Sequence, residues 1–431
     1  MTSPRTIQVD ALARVEGEGA LYLKVNAQGE VEEVRVDIFE PPRFFEGFLR
    51  GRRFEEVPDI TARICGICPV AYQMSSARAL EKALGIRVSP AIRDLRHLLY
   101  AGEWIQSHAL HIYLLQAPDL TGHPSALDLA QVAPEVVQHG MRLKRLGDRV
   151  LETIGRRAVH PINPTVGGFY AWPDVEAIRA LVPELAWALQ ASQETVRWAA
   201  GLPFPDFEVE AEFVALHHSE EYAILEGVLR SSVHGDLSEE DFEHGYLEEQ
   251  VPHSSALHSR TRAGNPYMVG PLARFNLNYE QLHPLARAAA EEINFRPVER
   301  NPYRSLLARA VEMVHACAVA LEIAQRWEPS GPSRIRAHPR NGEGAAATEA
   351  PRGVLYHRYQ VDSTGRIAFA RIVPPTAQNL ARIEEDLRAL APAILELPHE
   401  EATLACEHLI RAYDPCISCA THFLRLEVER A

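Results

Sequence analysis

Two pairs of cysteines carry the strongest chemical signal in the chain, one pair near each end. Cys65 and Cys68 stand in Arg63-Ile64-Cys65-Gly66-Ile67-Cys68-Pro69, and Cys416 and Cys419 in Asp414-Pro415-Cys416-Ile417-Ser418-Cys419-Ala420-Thr421-His422. Two residues between cysteines let both sulfurs face one metal centre. Gly66 is expected to permit a tight turn between them, and Pro69 suits the first turn of a following helix. Thiolate sulfur is a soft donor, so four thiolates point to zinc, an iron–sulfur cluster or a nickel- or iron-containing site. A structural zinc is the common outcome for four cysteines. Its pairs usually lie close in sequence, however, and nearly the whole chain separates these two. Iron–sulfur ligands also cluster more tightly, and a thioredoxin-like redox pair needs a βαβ context that is absent.

The elements that must position these sulfurs are mainly helical. Apolar residues recur at helical spacing from Cys68 to Leu84, with Gly85 as the stop. The same periodicity predicts helices near 90–115, 126–157, 173–200, 303–327, 377–394 and 401–412. Leu21, Leu23 and Val25 alternate, as do Val34, Val36 and Ile38, which predicts a hairpin turning near 26–29. A second hairpin is expected at 353–373, turning at 362–365. The acidic stretch 220–245 has no clean period and reads as a surface excursion. The stretch 329–347 is rich in Pro, Gly, Arg and Ala and reads as a loop. The expected fold class is therefore mainly α, a bundle of long helices with small peripheral β-hairpins (α+β). It is expected as one domain over 1–431, with a β-containing segment at 1–60.

Composition narrows the function classes. The chain has 431 residues, 46 % hydrophobic and 24 % charged, which are ordinary globular values. Its formal charge of −14, without a basic tract, argues against nucleic acid or an anionic membrane as partner. No secretory signal, twin-arginine signal or spanning segment is expected, so the chain reads as cytoplasmic. No G-x-G-x-x-G opens a helix after a strand, so a nicotinamide cofactor is not expected on this chain.

The two cysteine motifs resemble the signatures of the large, catalytic subunit of nickel–iron hydrogenases, and the resemblance extends over essentially the whole chain. Arg14-Val15-Glu16-Gly17 is similar to the family's N-terminal motif. Glu46, between Phe45 and Arg50-Gly51-Arg52, resembles its magnesium-ligand segment. His160-Pro161, Asn163, Gly167-Gly168, Glu349-Ala350-Pro351-Arg352-Gly353 and Pro375-Thr376-Ala377-Gln378-Asn379 are further matches. The wording around the cysteines is most similar to the cytosolic, bidirectional branch linked to NAD(P) or another soluble carrier. One departure is Tyr72, where many members place a histidine. The quinone-site subunit of respiratory NADH:quinone oxidoreductase shares this ancestry but lacks the paired cysteines. It and a zinc-stabilised scaffold are the competing readings.

The resemblance implies reversible heterolytic cleavage of H2. All four cysteines are then nickel ligands, with Cys68 and Cys419 bridging to an iron that carries CO and cyanide. Glu16 is the implied proton acceptor beyond Cys416. Arg352 is implied over the open metal position and Thr376 at a cyanide, with Asp414 and Asp119 as carboxylates that orient and neutralise Arg352. Glu46 and His422, with a backbone carbonyl near Leu380, are the implied magnesium ligands. His108 and His111 share a helix face and are expected near the active site rather than on a metal. Cys317 and Cys406 are expected in the core, so electrons must leave through partners. The family supplies an iron–sulfur small subunit and, in the soluble branch, flavin and NAD(P) diaphorase-type subunits. A maturation endopeptidase removes the tail, here 423–431, after nickel insertion. Intact-mass measurement of active enzyme is therefore expected to find His422 at the C-terminus; a full-length chain with full activity would contradict tail removal.

Overall fold

The computed structural model describes residues 5–421. The helix Pro69–Leu84 starts directly after Cys68, with Pro69 in the first turn where its missing N–H costs nothing. It stops at Gly85, whose φ of 67° is the left-handed conformation that ends helices. The helix Pro90–Leu110 is capped by Ser89, whose hydroxyl oxygen accepts the Ile92 N–H at 3.3 Å. It runs on into a π-helical turn, His111–Gln116. Pro118, just beyond, has no N–H to give the preceding turn and crowds it, a sufficient cause for that widening.

Two long helices expected as single runs are broken, each at a proline. The stretch 126–157 divides into Ala126–Val132 and Pro134–Gly155. Pro134 excludes the helical conformation from Ala133, which sits at φ −139°, ψ 64°. The stretch 173–200 divides into Val175–Arg179 and Val182–Ala200, with Pro183 in the first turn of the second. The remaining helices, Ser305–Arg326, Pro375–Ile394 and His399–Tyr413, lie where periodicity predicts them.

Two three-stranded antiparallel meanders flank the helices. Arg5–Val9, Gly19–Val25 and Val31–Ile38 form the first, with Leu21 opposite Val36 and Leu23 opposite Val34. All four are buried, so the alternation marks the core face. The expected second hairpin, Gly353–Val361 with Ile367–Val373, gains a third strand, Gly342–Ala350. That strand begins inside the stretch read as a loop. Its small residues serve packing: a Cβ on Gly342 or Gly344 would strike the Ala83 or Ala79 carbonyl oxygen at 2.0 and 2.2 Å. The strand therefore lies directly on the helix Pro69–Leu84.

The acidic stretch 220–245 also departs from expectation. It contributes Val228–Ser231 and Gly235–Leu237 to a four-stranded sheet with Glu212–His217 and Tyr267–Met268. Glu239 is buried there, facing Arg78 at 2.9 Å and Lys82 at 2.5 Å. Its carboxylate also accepts the Ala347 N–H at 2.7 Å. Part of the local acidity is thus an interior ion pair rather than a solvated face. Among the described residues no helix is long and apolar enough to cross a membrane.

Asp119 locks the N-terminal segment to the last turn of the helix His399–Tyr413. Its carboxylate accepts from Arg411 at 2.7 and 3.1 Å and from Arg14, with His408 at 3.1 Å. Burial works against its charge, but His408 and Arg411 outweigh it and hold the carboxyl down to about 2. A carboxyl lowered on folding stabilises above its ordinary range near 4 and loses that contribution as pH falls from 4 toward 2. Asp119→Asn is expected to cost on the order of 2 kcal/mol at neutral pH and to flatten the acid limb. Denaturant midpoints at pH 7 and pH 3 check this; equal losses in both proteins would contradict it.

Candidate metal centre

The four cysteines converge although they come from opposite ends of the chain. Their sulfurs all lie within 4.8 Å of one another. Cys65 Sγ is 2.9 Å from Cys68 and 3.5 Å from Cys416; Cys419 is 2.7 Å from Cys416 and 3.8 Å from Cys68. All four are buried. The first pair sits on a turn in which the Ile67 and Cys68 N–H groups donate to Cys65 Sγ at 3.3 and 3.2 Å. Gly66 needs no special conformation in that turn, and a Cβ there would meet nothing within 4 Å. The second pair opens the short helix Ile417–Ala420.

Burial opposes ionisation of these thiols. It is the leading reason Cys416 is held well above the usual thiol range. At Cys65 the same burial is outweighed by hydrogen bonds from the other three thiols and by the nearby Arg352, so Cys65 is the acidic member. Four such sulfurs become thiolates together only when a soft cation compensates them. The donor set fits a thiolate-bound metal, and a neighbouring orphan atom fits further ligands on it. Arg352 is buried, its Nε donates to the Asp414 carbonyl at 2.8 Å and its Nη2 to the Asp414 carboxylate at 3.0 Å, but Nη1 has no hydrogen-bond partner. Despite burial, Asp414 and the cysteines keep this guanidinium firmly charged.

The loop bearing Arg352 is held in part by Arg274, which has no local sequence signature. Arg274 donates to the carbonyls of Ala350 and Pro351, each at 2.9 Å, and to Glu349 at 2.8 Å. It also grips Glu312 with two bonds of 2.6 and 2.7 Å, and its guanidinium lies 4.4 Å over the Trp104 ring. The two carboxylates share one cation. Burial pushes Glu349 up to about 7, whereas Arg274 overcomes burial at Glu312 and holds it near 2. Gly353, at φ 131°, lets the chain pass Val269 and Gly270, where a Cβ would come within 2.9 Å of three atoms. Gln378 donates to the Val354 carbonyl at 2.6 Å, and Asn379 clamps both backbone groups of Val269. The Gln378-Asn379 motif thus fixes the walls of this loop.

Two of the expected residues, Glu16 and Thr376, meet at Cys416. Glu16 Oε2 lies 3.0 Å from Cys416 Sγ and accepts the Ser418 N–H at 3.1 Å. The Ile417 N–H donates to the Glu16 carbonyl, closing a parallel bridge between Glu16 and Cys416. Glu18 is exposed. The Thr376 hydroxyl oxygen accepts the Cys416 N–H at 3.0 Å. Asp119 is the exception. Its partners are Arg14, Arg411 and His408, because it closes the helix end that packs on His399–Tyr413, and Asp414 alone of the two carboxylates bonds Arg352.

Glu46 lies apart from the sulfurs, and its Oε1 accepts the Ile372 N–H at 2.7 Å. Burial pushes it up to about 7 against the pull of Arg371. Glu46 therefore meets the backbone of Ile372, and Leu380 is fully buried one turn into the helix Pro375–Ile394. His422 lies outside the described residues. His108 Nε2 is 3.0 Å from Glu312 and His111 Nε2 is 2.8 Å from the Arg411 carbonyl, so both belong to the frame. Cys317 and Cys406 are buried in apolar surroundings that push both up to about 12. Glu103 went unread in the sequence. It is buried and accepts the Val70 and Ala71 N–H groups at 2.6 and 3.0 Å, satisfying the helix start next to Cys68.

Comparison with known proteins matches this geometry. The model of the nickel-dependent hydrogenase family matches residues 43–163 and 209–422. The chain is 34 % identical to the sulfhydrogenase 1 alpha subunit of Pyrococcus furiosus, over 97 % of this chain and 98 % of that one. It is 29 % identical to the beta subunit of the NAD-reducing hydrogenase HoxS of Cupriavidus necator, over 97 % and 95 %. The crystal structure of an NAD+-reducing nickel–iron hydrogenase in the H2-reduced state superposes with a TM-score of 0.88 at 26 % identity, covering 98 % of this chain and all of that one.

Removing one partner of a buried ion network leaves the other charges uncompensated. Arg274→Met is therefore expected to destabilise the chain by about 3–5 kcal/mol, and adding Glu312→Gln and Glu349→Gln should restore part of that. Denaturant unfolding of the single and triple variants measures it. A single variant as stable as the parent would contradict the role given to Arg274.

Proposed function

The chain belongs to the nickel-dependent hydrogenase family and is the catalytic large subunit of a nickel–iron hydrogenase; from that premise we propose that Glu16 takes up the proton released at Cys416 when H2 is cleaved. The observation that carries this is the 3.0 Å approach of Glu16 Oε2 to Cys416 Sγ, held by the Ser418 N–H and by the Glu16–Cys416 bridge. Family membership sets aside the quinone-site and zinc-scaffold readings.

When bound at the four thiolates, a nickel–iron pair supplies a soft, electron-rich site that polarises H2 for heterolytic cleavage. The protein contributes donors and bases around it. Cys65, Cys68, Cys416 and Cys419 would hold the nickel, and Cys68 and Cys419 would serve the iron as well. The unpartnered Nη1 of Arg352 would be free to donate to a cyanide on the iron. Thr376, whose oxygen already accepts the Cys416 N–H, would keep its own O–H to donate to the second cyanide. Asp414 holds the Arg352 guanidinium in place, and Asp119 acts through Arg14 and Arg411 by fixing the segment that carries Glu16.

Magnesium is assigned to Glu46 and His422, with a backbone carbonyl near Leu380. Hard oxygen ligands suit that ion. Electrons leave through an iron–sulfur small subunit, since the remaining cysteines, Cys317 and Cys406, are separate and buried. Likeness to an NAD+-reducing enzyme supports diaphorase-type partners, NAD(P) as the terminal carrier and a cytoplasmic setting. An endopeptidase acting after His422 completes the assembly.

Two variants test the proton path. Cys416→Ala is expected to bind no nickel and to show no H2 activity. Glu16→Gln is expected to keep nickel and iron yet exchange H2 with D2O about 100-fold more slowly or worse. Undiminished exchange in nickel-replete Glu16→Gln would remove Glu16 from the path.

A further inference from the structure

Three side chains that hydrogen chemistry does not use gather where the N-terminal sheet, the hairpin Tyr246–Gln250 with Leu257–Thr261, and the helix Pro375–Ile394 meet. His253 comes from the hairpin's connection, His258 from its second strand and Glu384 from the helix. His253 Nε2 lies 2.8 Å from Glu384 Oε1, and His258 Nδ1 lies 3.7 Å from Glu384 Oε2. The two imidazoles stand edge to face, 5.5 Å apart at 87°. One potential ligand atom from each residue falls within 4.8 Å of the other two. Among the described residues, only the four cysteines form another such set.

His258 is the informative member. Its side chain is 0 % exposed, and neither ring nitrogen has a hydrogen-bond partner. An unsatisfied polar group in that position costs about 1–3 kcal/mol, and burial, His253 and Arg260 push its pKa down to about 3, so the ring is a neutral base. Neutral imidazole is the form that binds metals. The other ligands are already aimed. Glu384 Oε1 also accepts the Val36 N–H at 2.9 Å. Ser255 ties the hairpin connection to the first sheet, donating from its hydroxyl to the Ile38 and Glu40 carbonyls at 3.0 and 2.7 Å. These second contacts orient metal ligands in the usual way.

We infer that His253, His258 and Glu384 form a zinc site, separate from the cysteine centre, with two imidazole nitrogens, one carboxylate oxygen and a water in the fourth position. Two nitrogens and one oxygen suit a borderline ion better than magnesium or calcium, which prefer all-oxygen shells. His253 and Glu384 are partly exposed, at 20 % and 14 %, which leaves room for the water and an entry path. The site clamps the hairpin and the N-terminal sheet onto the helix whose first turn carries Thr376. It is thus a structural fastener behind the cysteine centre, and it stands independently of the nickel assignment.

Purified holoenzyme, incubated with Zn2+ and exchanged into metal-free buffer, provides the test. Plasma mass spectrometry is expected to find zinc stoichiometric with the chain, beside nickel and iron. His253→Ala and Glu384→Gln should each lose that zinc while keeping nickel, which reports a folded chain. His253 is the first choice because its partly exposed ring can be removed without opening the core. Zinc-edge X-ray absorption of the unaltered enzyme decides without any variant: multiple scattering from two imidazoles supports the site. Absence of zinc after incubation, full zinc retention in both variants, or a sulfur shell around zinc would each overturn it.

Discussion

The parallel bridge between Glu16 and Cys416, and the close packing of Cys416 and Cys419 on Cys65 and Cys68, bring together segments from both ends of the chain. Once one of these buried sulfurs is ionised its charge opposes ionisation of the others, and burial opposes it again. A bound soft cation reverses both terms at once. The surrounding structure reads as the means of holding those sulfurs together until such a cation arrives and of supplying charge and protons afterwards. Arg352 is a buried positive group that interacts with the sulfurs, and its own placement consumes several buried interactions.

Those interactions form two frames. One is ionic: Arg274 binds Glu312 and Glu349 and carries the carbonyls of Ala350 and Pro351, which deliver Arg352. The other is built from backbone caps: Glu103 at the start of the helix after Cys68, Thr376 at Cys416, and Gln378 and Asn379 at Val354 and Val269. Buried charges of this kind stabilise little in themselves, since desolvation offsets their attraction. What they supply is direction, because few other arrangements satisfy every donor and acceptor.

Much of the metal centre is legible in local sequence. The paired cysteines, the proline that opens a helix after Cys68 and the glycine after Arg352 each act within a few residues. The hairpins were legible for the same reason, since alternation reports which face is buried. Other parts depend on distant partners and leave no local trace. Arg274, Glu312 and Glu103 look like ordinary surface residues until the fold removes them from water. Asp119, adjacent to a proline at a helix end, was read as a partner of Arg352, yet the helix it closes faces Arg14 and Arg411. The small residues of Gly342–Ala350 looked like a loop because packing against a helix and freedom in a turn call for the same residue types. Glu239 made its stretch look solvated because composition does not distinguish a buried ion pair from an exposed charge.

The central claim is that four thiolates from the two ends of the chain enclose one nickel-containing centre. Nickel-edge X-ray absorption of the active enzyme tests it most directly. The account predicts a nickel shell dominated by sulfur, accompanied by infrared bands of cyanide and carbon monoxide. A nickel shell of nitrogen and oxygen, or active enzyme whose four sulfurs are occupied by zinc, would contradict it.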